Sequence, residues 1–249
     1  MGAGGRTLFY HRVADGRDEL AVSPARFRSQ VELIARSGLR GVELGAFADA
    51  LARDGAAGLV GLSFDDGYLD VAENALPVLR EHGFTATVFV ATGVTDGSAR
   101  FDWYEEQPPL IPWEELERLD GETLFFEAHT VTHPSLLGLE DAEAREEIAG
   151  SKRILEERLG RRVRGFCYPA GLFGPRELAL VGEAGFDYAA SCEPGRNGPA
   201  TDPLALRRIQ VDHRDSLLDV RAKLGGGHDT PPPLRAAYRR LRYGASSRS

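Results

Sequence analysis

The apolar run Gly58-Leu59-Val60-Gly61-Leu62 continues through Ser63-Phe64 and is then halted by Asp65-Asp66-Gly67. A short apolar run bounded by turn formers reads as a buried strand, which delivers whatever follows it to the edge of a sheet. Two adjacent carboxylates at such an edge repel each other and resist desolvation. They require solvent, a cation, hydrogen-bond donors or a shifted pKa. Alone, Asp-Asp-Gly reads first as a polar turn, but it has a counterpart. In Glu127-Ala128-His129-Thr130-Val131-Thr132-His133-Pro134, two imidazoles stand at i and i+4 after the apolar run Leu124-Phe125-Phe126. If the first turn there is helical, both rings face one ion.

Around these two segments, strand and helix signals alternate. Thr7 to Val13 reads as a first strand with a polar tip at His11 and Arg12. Ser23 as N-cap and Pro24 at N1 open a helix with Phe27, Val31, Ile34 and Ala35 on one face and Gly38 as its stop. A second helix covers Ala46 to Arg53. A third carries Val71, Ala75, Leu76, Val78 and Leu79, bent by Pro77 and ended by Gly83. Thr85 to Ala91 is a β-branched strand. Residues 92–112 form a connection long enough to suggest service to a site, and its Phe101, Trp103 and Tyr104 suit either sugar stacking or pinning of the loop. Trp113 to Leu119 is a short helix, and Asp141 to Leu159 a long one whose many charges read as a solvated face. Val163 to Gly171 is a strand ending in a turn, Pro175 to Ala184 a helix, and Phe186 to Ser191 and Leu206 to Val211 further strands. Such alternation implies a parallel β/α architecture, and chemistry placed at successive strand ends implies a barrel.

With 249 residues, 42% of them hydrophobic, the chain can bury a sizeable core. We expect one domain over residues 1–228 and a Pro/Arg-rich tail over 229–249, whose contact with an anionic membrane surface is the sharper alternative to a solvated end. A net charge of −8 argues against nucleic-acid partners. No apolar run is long enough to span a membrane, and the start does not look like a signal peptide, so a cytoplasmic location is expected. Cys167 and Cys192 read as free thiols in a reducing compartment.

Two imidazoles and one carboxylate with open positions suit a hydrolytic divalent metal. Zinc is expected at Asp66, His129 and His133, with cobalt, nickel or manganese as alternatives. Asp65 is then placed to take a proton from a water that the cation acidifies. Protonation of a leaving group needs an imidazole. His11 at a strand tip is the first candidate and His213 the second.

Ser63-Phe64-Asp65-Asp66-Gly67 followed by His129-Thr130-Val131-Thr132-His133-Pro134 resembles the polysaccharide deacetylases, the carbohydrate esterase group with the nodulation-type chitooligosaccharide deacetylase domain. The resemblance runs over roughly residues 7 to 212. It implies a distorted (β/α) barrel of about seven parallel strands, with the first Asp as general base and the second Asp and both His on the metal. The chain departs from the family pattern in two places. A C-terminal leucine-x-histidine motif is missing, while Leu8-Phe9-Tyr10-His11 resembles the permuted arrangement of biofilm poly-N-acetylglucosamine deacetylases, which implies His11 as the acid. The family's Arg-x-Pro-Tyr motif is replaced by Cys167-Tyr168-Pro169-Ala170. The backbone N–H of Ala170 still suits an oxyanion contact. Arg208 is the candidate to replace the missing arginine, against a bland reading as a surface residue at a strand edge.

The expected reaction is removal of acetyl from an N-acetylated sugar or glycan precursor, with release of acetate. A hydrolase of cyclic amides or imides on the same scaffold and a sugar-binding relic without activity are the alternatives.

Overall fold

Alternation of side chains along parallel strands decides which residues reach the interior of this molecule. The computed structural model describes residues 4–16, 18–53, 55–227 and 229. The chain runs β1 (Arg6–Tyr10), β2 (Arg12–Val13), β3 (Ala21–Val22), α1 (Pro24–Arg36), β4 (Arg40–Val42), α2 (Leu44–Arg53) and β5 (Leu59–Phe64). A π-turn (Val71–Ala75) leads into α3 (Leu76–His82), followed by β6 (Ala86–Val90), α4 (Thr92–Thr95), α5 (Trp113–Leu119), β7 (Leu124–Ala128) and α6 (Asp141–Leu159). Then come β8 (Gly165–Cys167), α7 (Pro175–Glu183), β9 (Tyr188–Ala190), β10 (Ile209–Gln210) and α8 (Leu217–Gly225).

Seven parallel strands follow one another in the order β10-β1-β5-β6-β7-β8-β9, and β4 pairs with the start of β5. Leu206 bridges to Ala190 of β9 while Ile209 pairs with Leu8 of β1, so one extended stretch reaches both ends of the curled sheet. The result is the distorted (β/α) barrel that the sequence implies. Its outer face carries Leu8 and Tyr10, Val60, Leu62 and Phe64, Val88 and Val90, Phe126 and Phe166, all buried under the helices. Phe27 of α1 meets Tyr10 edge-on at 5.3 Å and Phe64 at 5.7 Å, which docks that helix on β1 and β5. The alternate residues face inward, and Phe89, Cys167, Tyr188 and Ala190 pack there against Leu44, Phe47 and Leu51 of α2. Gly61 belongs to this face because a Cβ would stand 2.6 Å from Thr7 Cγ2 and 2.8 Å from Leu44 Cδ2.

Local signals explain most element ends. Ser23 Oγ accepts from the Arg26 N–H at the start of α1, a cap of about 1 kcal/mol. Gly83 and Gly160 close α3 and α6 in the left-handed conformation. Pro77 has no N–H to give, and the wider π-turn lies just before it.

Several elements differ from expectation. The first strand is interrupted at His11, and its second half, β2, pairs with β3 instead. β4 is only Arg40-Gly41-Val42, too short for a periodic signal, and a Cβ on Gly41 would lie 2.5 Å from Leu62 Cδ1. α8 shows no apolar stripe, since Leu217 and Leu218 are exposed while Val220 and Lys223 are buried. The 92–112 connection opens with the helical turn α4. Asp229, at the start of the expected tail, pairs with Arg6 at 2.7 Å. The tail arginines, for which membrane contact is the alternative to a solvated end, lie outside the described residues. Among the described residues no helix is long and apolar enough to cross a membrane.

Candidate metal centre and active site

The inward parity that fills the barrel also brings Phe9 and His11 from the first strand, Ser63 and Asp65 from β5, His129 from β7 and Cys167 from β8 to one end of the sheet. Arg208, immediately before β10, reaches the same place. Far from lying at a strand edge, its side chain has no exposed surface. Its Nη1 and Nη2 donate to the two oxygens of Asp65 at 2.7 and 2.8 Å, Nε donates to the Ser191 carbonyl at 2.9 Å, and Nη1 also donates to Ser63 Oγ at 3.0 Å. The guanidinium lies 4.3 Å above the Phe9 ring and 5.4 Å from that of Phe89. Burial alone would raise the Asp65 carboxyl, but the Arg208 charge and its hydrogen bonds prevail and hold it at about 2. Cys167 is a buried free thiol, as its sequence suggests, and it also touches this pair. Its Sγ is 2.9 Å from Arg208 Nη2 and 3.8 Å from Asp65 Oδ2, and burial pushes its pKa well up.

Asp66 is treated in the opposite way. Its Oδ1 is buried without a hydrogen-bond donor among the described residues and lies 3.6 Å from Nε2 of both His129 and His133. Burial, then the neighbouring Asp65 charge, drives its pKa well above the ordinary range. Burial lowers His129 to about 4 and His133 well below its usual value. These contacts are therefore not ion pairs. Two neutral imidazoles and a carboxyl with an orphaned oxygen, their ligand atoms within 4.8 Å of one another, fit a divalent cation of the kind that takes mixed N/O donors. His129 Nδ1 is tied to the Cys167 carbonyl at 2.8 Å, which leaves Nε2 for the ion.

The i, i+4 spacing does not work through a helical turn. Residues 129–133 form an irregular loop in which Thr130 has φ 67° and His133 φ 62°. Asp66 has φ 73°, Ala170 φ 53°, and these four are the only residues other than glycine with positive φ among those described. All four follow the ends of β5, β7 or β8, so backbone strain is concentrated where the candidate ligands stand. Glu147 of α6 holds the histidine loop, accepting the N–H groups of Val131 and Thr132 at 2.8 Å each and the Thr132 hydroxyl at 2.6 Å. That corrects the reading of α6 as a purely solvated face. Phe101 is buried and stacks on Trp103 at 4.5 Å, and both rings stand edge-on to His133, at 5.5 and 5.0 Å. The aromatic loop is thus pinned against a candidate ligand.

His11 is partly exposed and near enough to Asp65, His129 and His133 for their charges to act on one another. Burial lowers its pKa in spite of Asp65. His213 is engaged elsewhere, its Nδ1 against the Glu19 carbonyl at 2.9 Å and its Nε2 accepting from Arg214 Nε at 3.3 Å. Ala170 lies in a tight turn, Pro169–Gly171, directly after β8. Sequence reasoning did not reach Glu147 or the Cys167 contacts, because neither has a local signature that separates it from an ordinary surface acid or core thiol.

Comparison with known proteins finds relatives in sequence and in structure. The YxkH protein of Bacillus subtilis, named as a polysaccharide deacetylase, is 25% identical over 206 residues, which span 82% of this chain and 70% of YxkH. The poly-β-1,6-N-acetyl-D-glucosamine N-deacetylase of Staphylococcus aureus is 25% identical over 179 residues, or 68% of this chain and 60% of that enzyme. In structure, the Streptococcus pyogenes deacetylase PplD, solved with acetate, superposes with a TM-score of 0.80 at 22% identity and covers 90% of this chain and 99% of its own. The sequence profile described as polysaccharide deacetylase matches residues 52–189, more than half of the chain, and the protein belongs to that family.

Proposed function

We propose that the chain is a metal-dependent N-deacetylase of an N-acetylated sugar or glycan. The observation that carries this reading is the pair of adjacent buried carboxylates, one locked to Arg208 and the other short of a positive partner beside two neutral imidazoles. Asp66, His129 and His133 would hold the cation, zinc on the chemistry of the donor set, with cobalt, nickel or manganese able to take its place. When bound, such an ion polarises the acetyl carbonyl and acidifies a water molecule.

The residues of the chain do the rest. Asp65, ionised at any pH above about 2, takes the proton of the attacking water, and Arg208 fixes the orientation of the carboxylate by a bond to each of its oxygens. The N–H of Ala170 is assigned to the oxygen on which negative charge develops. As the C–N bond breaks, the departing nitrogen takes a proton from His11 and leaves as an amine. The name of the staphylococcal relative supports an N-acetylglucosamine polymer as the substrate class.

The test is acetate release from β-1,6-linked N-acetylglucosamine oligomers by zinc- or cobalt-loaded protein, with cyclic imides assayed in parallel. Acetate release that disappears in His129→Ala is the expected result. Imide opening without acetate release would replace the reading by the alternative chemistry, and bound metal with neither activity would leave a sugar-binding relic.

A further inference from the structure

Among the described residues no hydrogen bond holds the ring of the assigned proton donor. His11 Nδ1 is buried without a partner among the described residues, and the ring stands edge-on to Phe9 at 5.7 Å. Its position is therefore set by the backbone on either side. On the β1 side, the Asp65 N–H donates to the Tyr10 carbonyl at 2.9 Å. On the other side the bonds converge on Asp70. The Val13 N–H donates to Asp70 Oδ1 and Arg12 Nε to Asp70 Oδ2, both at 2.8 Å, while Asn74 Nδ2 donates to the Val13 carbonyl at 2.8 Å.

Arg12 also reaches outward. Its Nη1 donates to Asp18 Oδ2 at 2.7 Å, and that same oxygen accepts the Tyr104 hydroxyl at 2.7 Å. Its guanidinium lies 5.4 Å from the Tyr68 ring. Tyr104 follows Trp103, which stands against His133. One largely buried cation thus joins three segments: the strand tip with His11, the turn that carries Asp65, Asp66 and Asp70, and the aromatic loop.

We infer that Arg12 is a positioning residue, which sets His11 at the leaving nitrogen through its fork on Asp70 and Asp18. The inference rests on the deacetylase reading and on His11 as the donor. Charge-assisted two-pronged bonds fix direction as well as distance, and a misplacement of about 1 Å in a reacting group costs on the order of 100-fold in rate. The chemistry supplies a readout that loss of structure would not imitate. An alkyl amine cannot leave without a proton, so amide cleavage depends on His11, whereas para-nitrophenolate leaves as the anion and needs none.

The experiment compares metal-loaded full-length protein with Arg12→Gln and Arg12→Lys on an N-acetylglucosamine oligomer and on para-nitrophenyl acetate, with metal content measured in each sample. Arg12→Gln is expected to lower kcat on the amide about 100-fold and to keep ester turnover within about threefold, at native metal content. Arg12→Lys keeps the charge but loses the fork. It should show the same bias at a smaller magnitude, and it carries the comparison if Arg12→Gln does not fold. Equal losses on both substrates in the variants, or unchanged amide turnover, would overturn the role of Arg12 and leave the deacetylase reading standing. Native protein that binds metal and releases no acetate would overturn both.

Discussion

Asp65 and Asp66 share a turn and a degree of burial, yet the protein completes one and not the other. Asp65 meets a fork of donors on an arginine that is itself stacked, hydrogen-bonded and fully buried. Asp66 meets two imidazoles that burial keeps neutral, and its Oδ1 has no donor among the described residues. The difference teaches that burial by itself assigns no role. Identical side chains one residue apart are driven in opposite directions by what faces them, and Asp66, unlike its neighbour, sits in the left-handed region with its Oδ1 toward the two imidazoles.

The contrast is broken most severely by removing the charge from Asp65. Asp65→Asn is expected to reduce acetate release by a factor on the order of 1000. It also leaves Arg208 as an uncompensated buried cation, at a cost of roughly 3–5 kcal/mol in urea unfolding. Retention of native turnover would remove Asp65 from the role of base.

Arg208→Met attacks the same pair from its other member. Without the guanidinium, burial dominates, the Asp65 pKa rises, and the acid limb of the pH–rate profile should move upward by about two units or more. The same pair predicts a stability signature. The folded Asp65 pKa of about 2 lies below its unfolded value, so its contribution is fully present above about pH 4 and is lost as pH falls through about 2. That contribution, roughly 2–3 kcal/mol, should be visible as an acid sensitivity of native protein beyond that of Asp65→Asn in unfolding curves recorded at several pH values.

Asp66 predicts the reverse behaviour. Burial and the Asp65 charge drive its carboxyl pKa above the ordinary carboxylate range, so metal binding near that pKa should release a proton from the protein. Calorimetric titration of the native protein with zinc in buffers of different ionisation enthalpy reads this release directly, as a proton count that falls when the titration is repeated at higher pH. A proton count that stays at zero across the pH series would mean that Asp66 does not change state when the ion binds.

The smallest effect is expected at Glu147, which holds the histidine loop from a helix on the outside of the barrel. Glu147→Gln should lower metal affinity about 10-fold and stability by about 1 kcal/mol. Unchanged affinity in a competition assay with a chelating dye would show that the loop holds its shape without that carboxylate.

Much of this was legible in the chain. Strand ends at Asp65-Asp66 and His129, helix ends at Ser23, Gly83 and Gly160, and the exact bounds of α5 and α6 follow from local apolar period and capping. What the chain conceals is whatever depends on long-range approach. Arg208 is separated from Asp65 by most of the chain, and nothing in Leu206-Arg207-Arg208-Ile209 distinguishes a buried guanidinium from an exposed one except the side to which the next strand turns it. The path between His129 and His133 was likewise hidden, because i, i+4 spacing suits a helical turn and a loop with two left-handed residues equally well. β4 and α8 carry too few buried apolar side chains to announce themselves.

The measurement that bears most directly on the contrast is the metal content of Asp65→Asn and Asp66→Asn, purified in parallel with the native protein and analysed for bound zinc after reconstitution. Near-stoichiometric metal in Asp65→Asn and none in Asp66→Asn is the result predicted, with acetate release lost in both. Equal metal in the two variants, whether retained or lost, would contradict the division of roles between the two carboxylates.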